Sequence, residues 1–318
     1  MSIEPENETE RQEPIDLDET LKFLCGVSEQ MLIMMMNGLF GLDFDPNDAN
    51  ITVKKTNNEF ISSHFDTLRG DLFLEIATPM RTYQFHIEFQ MRHDPHMIIR
   101  MFEYSMQNAI DNARREFHTS KEYIIRLPKQ LVIYFEKNAS IPDELSVYVE
   151  FPNGFVHEYT VPTMKYWEHD AKTLAEKKLF NLLPLLLFTL RAELDAIKIK
   201  CPEHMHAGLI KAQQMTDNII CILEQIHNKE KLFFDDLNQI MHALSHLAHY
   251  LDRRYEWNGK LSGGADIMIK GFLDKTGEEL RSEGKLEGTI KTAKIFLNAG
   301  MDIEEICRLT GLSKDDLL

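Results

Sequence analysis

The chain has 318 residues, of which 43% are hydrophobic and 27% charged, with 35 Lys and Arg against 51 Asp and Glu and a net charge of −16. That composition supports a sizeable core in one large domain or two smaller ones and excludes a wholly disordered chain. It also excludes a simple basic DNA-coating protein, because neutralising phosphates takes surplus Lys and Arg.

Residues 1–20 hold eight acids against one base, Arg11, a local net of −7. The stretch 1–18 therefore reads as an acidic, disordered tail, without the basic and apolar regions of a signal peptide. An apolar stretch, 21–39, predicts a helix with the run Met31-Leu-Ile-Met-Met-Met36 in the core, and the turn-rich 40–50 ends it. Strands are expected at 51–55, 71–77 and 83–91. In the third, Phe85, Ile87, Phe89 and Met91 alternate with His86, Glu88 and Gln90. Apolar residues at helical spacing follow over 93–117, then a wholly apolar run, 131–135, of the kind found in buried strands.

Segments 145–151 and 155–161 suit a hairpin around Pro152-Asn153-Gly154. Helices are expected over 171–200, 203–227 and 231–252, a linker at 257–264, and a glycine-diluted charged helix at 277–288. The end, 303–318, has the rhythm of a small helical pair turning at Thr310-Gly311. Its last helix, Ser-Lys-Asp-Asp-Leu-Leu, lacks side chains for reading base edges and suits packing or self-association instead.

Cys25, Cys201, Cys221 and Cys307 form no C-x-x-C pair and read as buried thiols in a reducing, cytoplasmic compartment. The longest apolar stretches, 31–36 and 182–190, fall short of the ~20 residues of a membrane helix. His242, His246 and His249 fall on one helical face. Zinc could use them together with the Cys201–His206 region, but a polar helix face is the commoner use of that spacing.

The acids carry the chemistry. Asp71 opens the second expected strand, while Glu88 and Gln90, two apart on the third, point to one face. If those strands pair antiparallel through 78–82, Asp71 and Glu88 approach there. Two close carboxylates favour a hard cation such as Mg2+ between them. Such a metal polarises a phosphodiester oxygen and acidifies a bound water, which Gln90 could orient but not deprotonate. The alternative is a solvated strand face.

The residues Gly70-Asp71-Leu72-Phe73-Leu74, then Tyr83 to Gln90, then Asp94, Met97, Arg100 and Tyr104, resemble the PD-(D/E)XK nuclease superfamily. Within it the likeness is to the recombination-promoting nuclease (Rpn) and transposase branch. Weaker likenesses lie at Asn57-Asn58-Glu59-Phe60, at Leu182-Leu183-Pro184-Leu185 and in the C-terminal segments from Glu283 to Ser313. The resemblance implies an α/β, restriction-endonuclease-like mixed sheet flanked by helices. A core over 19–170 would be followed by a helical region at 171–262 and a C-terminal element at 263–318.

It further implies Asp71 and Glu88 as ligands of Mg2+, with Mn2+ substituting, and Glu59 as an additional acid. Gln90 stands at the position usually held by lysine, and Gly70 replaces the proline of the motif. Loss of the lysine charge predicts weak activation of the water. Arg100 and Tyr104, one helical turn apart, would hold a DNA phosphate or a catalytic acid. The expected function is a Mg2+-dependent DNA endonuclease, with a homo-oligomer through the C-terminal helices as a further expectation. The alternative is a catalytically weak or inactive nuclease-fold protein acting in binding or assembly.

Overall fold

A computed structural model describes residues 17–55, 59–61, 67–69, 72–116, 123–230, 232–298 and 302–313. The chain divides into two compact units, residues 1–265 and 266–318. Apart from Leu17 and Asp18, the expected acidic tail lies outside the described residues.

The expected helix at 21–39 is two helices, α1 (Leu17–Leu24) and α2 (Glu29–Phe40). The break is made by long-range bonding. Ser28 caps α2 through Met31 N, and its own backbone N–H donates to Asp236, 208 residues away, at 2.7 Å. Met31, Leu32, Ile33, Met35 and Met36 are all buried, so the methionine run is core, each such side chain contributing ~1.5–3 kcal/mol on burial. Gly38 lies against the carbonyl of Lys177, an approach that leaves no room for a Cβ.

Strands β1 (Thr52–Lys55), β2 (Glu59–Ile61), β3 (Thr67–Arg69), β4 (Leu72–Ala77) and β5 (Thr82–Gln90) lead to helix α3 (Met97–Glu116) and strand β6 (Lys129–Tyr134). The hairpin of β7 (Glu144–Glu150) and β8 (Val156–Lys165) follows, turning at Gly154, whose φ of 79° suits glycine. The strands form a mixed six-stranded sheet in the order β1-β4-β5-β6-β8-β7, while β2 and β3 pair separately. β4 runs antiparallel to β1 and β5, and β6 runs parallel to β5 and β8. The order helix, strand, strand, strand, helix, strand is thus realised by α2, β1, β4, β5, α3 and β6, with the β2–β3 ribbon inserted.

Both faces of the sheet's centre are covered. Phe85 meets Phe40 of α2 at 5.0 Å between ring centroids, and Phe89 stacks towards Phe135. On the opposite face Met97 and Met101 of α3 pack with Val132, Tyr134, Tyr159 and Val161. The burial of Leu131–Phe135 is that of a central parallel strand.

The expected helix at 171–200 is broken into α4 (Ala171–Glu176), α5 (Leu186–Thr189) and α6 (Arg191–Lys200). Lys178 adopts a left-handed φ of 59° just past α4, and Pro184 lies in a short 3-10 turn over Phe180–Leu185 that is buried throughout. Around that turn pack α7 (Met205–Glu230) and α8 (Phe234–Tyr255), close to the expected 203–227 and 231–252. The expected linker at 257–264 is instead packed, with Trp257 and Leu261 buried and Asp252 accepting from the backbone of Leu261 and Ser262 at 3.1 and 2.7 Å. Helix α9 (Ser262–Asn298) starts there and runs without interruption through the glycine-diluted stretch.

In the second unit α10 (Ile303–Thr310) closes a small core in which Ala293, Ile306 and Leu312 are buried against Ile290 and Leu297. Gly311, at a φ of 74°, makes the expected turn; residues 314–318 lie outside the described part. No described helix is long and apolar enough to cross a membrane. The four cysteines are free thiols, but only Cys25 is buried, so the expectation of buried thiols holds for one of them.

Candidate functional site

The alternation of β5 places Phe85, Ile87 and Phe89 on the α2 face and His86, Glu88 and Gln90 under α3. The expectation of a solvated acid face as the alternative does not hold: Glu88 is 1% exposed and His86 fully buried. Period-two polarity ordinarily marks one wet face, but a helix that crosses between parallel strands covers that face as well.

A carboxylate moved out of water loses several kcal/mol of hydration unless partners replace it. Here Arg100 Nη2 donates to Glu88 Oε1 at 2.8 Å, and Gln90 Nε2 donates to the same oxygen at 3.2 Å. Arg100 comes from the first turn of α3 and is 36% exposed. Its other arm reaches Asp94 Oδ2 at 3.3 Å, and the phenol of Tyr104 accepts from Nη2 at 3.4 Å. The N–H of His96, donating to Asp94 at 2.8 Å, and the Arg100 cation hold the Asp94 carboxyl below its ordinary range.

A row of buried polar groups leads towards the other carboxylate oxygen and stops short of a hydrogen bond to it. Gln130, on β6, donates from Nε2 to the carbonyl of Met101 at 2.9 Å and reaches His86 Nδ1, also at 2.9 Å. Both amide protons being committed, Nδ1 is the acceptor and the ring proton sits on Nε2, which faces Glu88 Oε2 at 3.5 Å. Tyr159 donates to Gln130 Oε1, and Ser105 contacts the Tyr159 hydroxyl at 3.1 Å. Burial and the Arg100 cation hold His86 down to about 3, so the ring is neutral. The ring stacks on Phe73 at 4.0 Å and meets Tyr104 edge-on.

Tyr134, paired with Gln90 across β5 and β6, adds a phenol that finds no hydrogen-bond partner among the described residues. Burial, with the charges of Asp94 and Glu88, pushes it up to about 12. The site therefore combines one buried carboxylate, a guanidinium shared between two acids, a neutral imidazole and a protonated phenol.

Of the residues expected from the sequence, Glu88, Gln90, Arg100 and Tyr104 come together here. Asp71 lies outside the described residues, and β4 begins at Leu72, which pairs with Ile87. Glu59 falls in the separate β2–β3 ribbon, opposite Arg69, rather than on the sheet that holds Glu88. For Mg2+ the fit is one of donor type: Glu88 brings a hard oxygen ligand, but one of its oxygens is held by Arg100 and Gln90 and the other faces an imidazole N–H. A cation at Glu88 has to displace Arg100.

The histidine row on α8 is exposed at all three rings. Among the described residues, one group of Cys, His and acidic side chains brings its ligand atoms together: Cys201, Glu203 and His204, on a turn before α7. Sequence reasoning gave His86 no role and missed Gln130, Tyr134 and Tyr159. The one signal for Gln130 was a polar residue immediately before the apolar run 131–135.

Comparison of the chain with family models, curated proteins and solved structures returned no match.

Proposed function

We propose that the chain is a Mg2+-dependent DNA endonuclease of the recombination-promoting nuclease and transposase type, on a restriction-endonuclease-like core. The observation that carries this reading is the burial of Glu88 at 1% exposure on a central strand, in the third strand of a helix, strand, strand, strand, helix, strand core. Burying a carboxylate at such a position costs stability that its partners offset only in part, and buried, perturbed ionisable groups gather at functional sites.

In this reading Glu88 and Asp71 hold the metal, and Mn2+ can replace Mg2+. The bound ion supplies charge stabilisation at the phosphodiester and a more acidic water. Gln90 orients the water by hydrogen bonding, and the absence of a lysine there makes the reaction slow. Arg100, released from Glu88, turns to a DNA phosphate, for which its planar fork is suited. His86, fixed as its Nε2–H form, faces the second Glu88 oxygen at 3.5 Å without a hydrogen bond to it. Exposed Leu286, Ile295 and Leu309 in the second unit support self-association through α9 and α10.

A second reading, a nuclease-fold protein acting in binding or assembly without catalysis, is favoured by the Arg100–Glu88 pair itself, which fills the place of a cation. Plasmid cleavage in Mg2+ or Mn2+ against an EDTA control, with wild type, Glu88→Gln and Asp71→Asn, separates the two. The nuclease reading expects cleavage by wild type and a fall of about 10²-fold or more in each variant. Equal cleavage by wild type and Glu88→Gln removes it. No cleavage, together with no Mn2+ binding that depends on Glu88, establishes the second reading.

A further inference from the structure

A second polar concavity lies away from Glu88, at the other end of the same strand. It has a volume of about 590 Å3 and is bordered by Arg81, Tyr83 and Gln84 of β5 and its approach, Asn112 of α3, and Arg126 and Lys129 before and at the start of β6. Gln84 and Glu88 share a face of β5 four residues apart, which sets this cleft ~13 Å from the Glu88 carboxylate.

Its charge runs against that of the chain. With 51 acids to 35 bases overall, every charged side chain that borders the cleft among the described residues is a cation. The Arg81 guanidinium lies over the Tyr83 ring at 4.1 Å, which fixes its plane while leaving its N–H edges to other partners. Among the described residues neither those N–H groups nor the Lys129 ammonium has a hydrogen-bond or ion-pair acceptor. Cations converging on a concave wall focus a positive potential there. Exposed Ile124 and Leu127 add an apolar side to the same cleft, and the Gln84 and Asn112 amides offer both donors and acceptors.

We infer that this cleft binds a phosphate-bearing ligand of nucleotide size, with Arg81 and Lys129 on the phosphate and the Ile124–Leu127 side against the flat, less polar part. The volume falls within the range of small-ligand sites, ~300–1,000 Å3, and is ample for one nucleotide unit. A planar guanidinium paired with an ammonium is the usual protein answer to a phosphate group. The site does not depend on metal chemistry at Glu88 and is separate from it. Two sources carry the same chemistry: a free nucleotide, or one nucleotide of a polynucleotide strand.

The test is binding to the full chain by calorimetry, with inorganic pyrophosphate, a nucleoside 5′-monophosphate and a short single-stranded oligonucleotide as probes. Binding is expected to weaken about tenfold or more in Arg81→Gln and Lys129→Gln, and further in the double variant, because each loses a charge-assisted hydrogen bond. Both side chains are exposed, so thermal melting should match wild type. A mononucleotide bound as tightly as the oligonucleotide identifies the free nucleotide as the source; an oligonucleotide bound far more tightly, with the same loss in the variants, identifies the strand. The inference is overturned if none of the probes binds, or if the double variant binds them as wild type does. Neither result bears on cleavage at Glu88, so this cleft and the nuclease reading fail independently.

Discussion

Replacing Arg100 by Met keeps an apolar stem over Tyr104 and removes the guanidinium that lies 2.8 Å from Glu88 Oε1. Glu88, 1% exposed, then loses its shortest described contact and keeps, among others, Gln90 at 3.2 Å and the weaker approach of His86 at 3.5 Å. Removing one partner of a buried pair costs ~3–5 kcal/mol, since a charge stays buried without compensation. Arg100 is itself 36% exposed, so water enters where it stood and screens the remaining charge. The discounted loss is ~2–3 kcal/mol. Glu88→Gln differs in kind, because the amide oxygen still accepts from Arg100, no buried charge is stranded and the guanidinium returns partly to water. Its cost is ~1 kcal/mol.

The double variant, Glu88→Gln with Arg100→Met, strands nothing and is expected to lose only ~1–2 kcal/mol, less than Arg100→Met alone. Urea denaturation at neutral pH, followed by far-UV circular dichroism on wild type and all three variants, gives the cycle directly. An Arg100→Met variant within ~0.5 kcal/mol of wild type, or losses that simply add, would show that Glu88 does not depend on the guanidinium.

Two further outcomes follow from the same packing. His86 titrates at about 3 in the folded chain against an ordinary 6.5, so the unfolded chain binds more protons between those values. Its contribution is complete above 6.5 and is lost as the pH falls towards 3; His86→Gln lacks it, so the gap in melting temperature between wild type and variant should shrink on acidification. A gap independent of pH refutes the neutral, buried ring. Asp94, whose lowered value also favours the folded state above the carboxylate range, acts in both chains and cancels from the comparison. Gly38→Ala in α2 should lower the melting temperature, by a loss of ~2 kcal/mol or more, although alanine ordinarily gains ~1 kcal/mol over glycine in a helix. The added Cβ would overlap the Lys177 carbonyl oxygen and lie 2.9 Å from Leu179 Cδ2. A raised melting temperature would show that the helix has room to move there.

The parts of this site that could be read from the chain are those written locally. Alternation over residues 85–91 located β5 and put Glu88 beside Gln90, and helical spacing placed Arg100 and Tyr104 on one face of α3. What could not be read is what joins segments far apart. The Gln130–His86 bond spans 44 residues and the Gln130–Tyr159 bond 29, and no periodicity records either. The burial of the acid face likewise depends on α3 lying over it, which period-two polarity argues against. The same holds for the breaks in the helices. Ser28 ends the expected first helix by bonding to Asp236, and Lys178 takes a left-handed backbone that nothing in its own side chain favours.

The commitment of both Gln130 amide protons limits what position 130 can become. Glutamate has the same reach but only accepts, so it would face the Met101 carbonyl with lone pairs and turn the His86 proton round to Nδ1, away from Glu88. Leucine or methionine fills the volume but withdraws the acceptor from the Tyr159 hydroxyl and the donor from the Met101 carbonyl and His86 Nδ1, in a buried interior. Asparagine is one methylene too short to span from β6 to both the helix and the ring. By side-chain chemistry alone, then, residue 130 is among the least replaceable in the chain, although it touches no substrate and carries no charge.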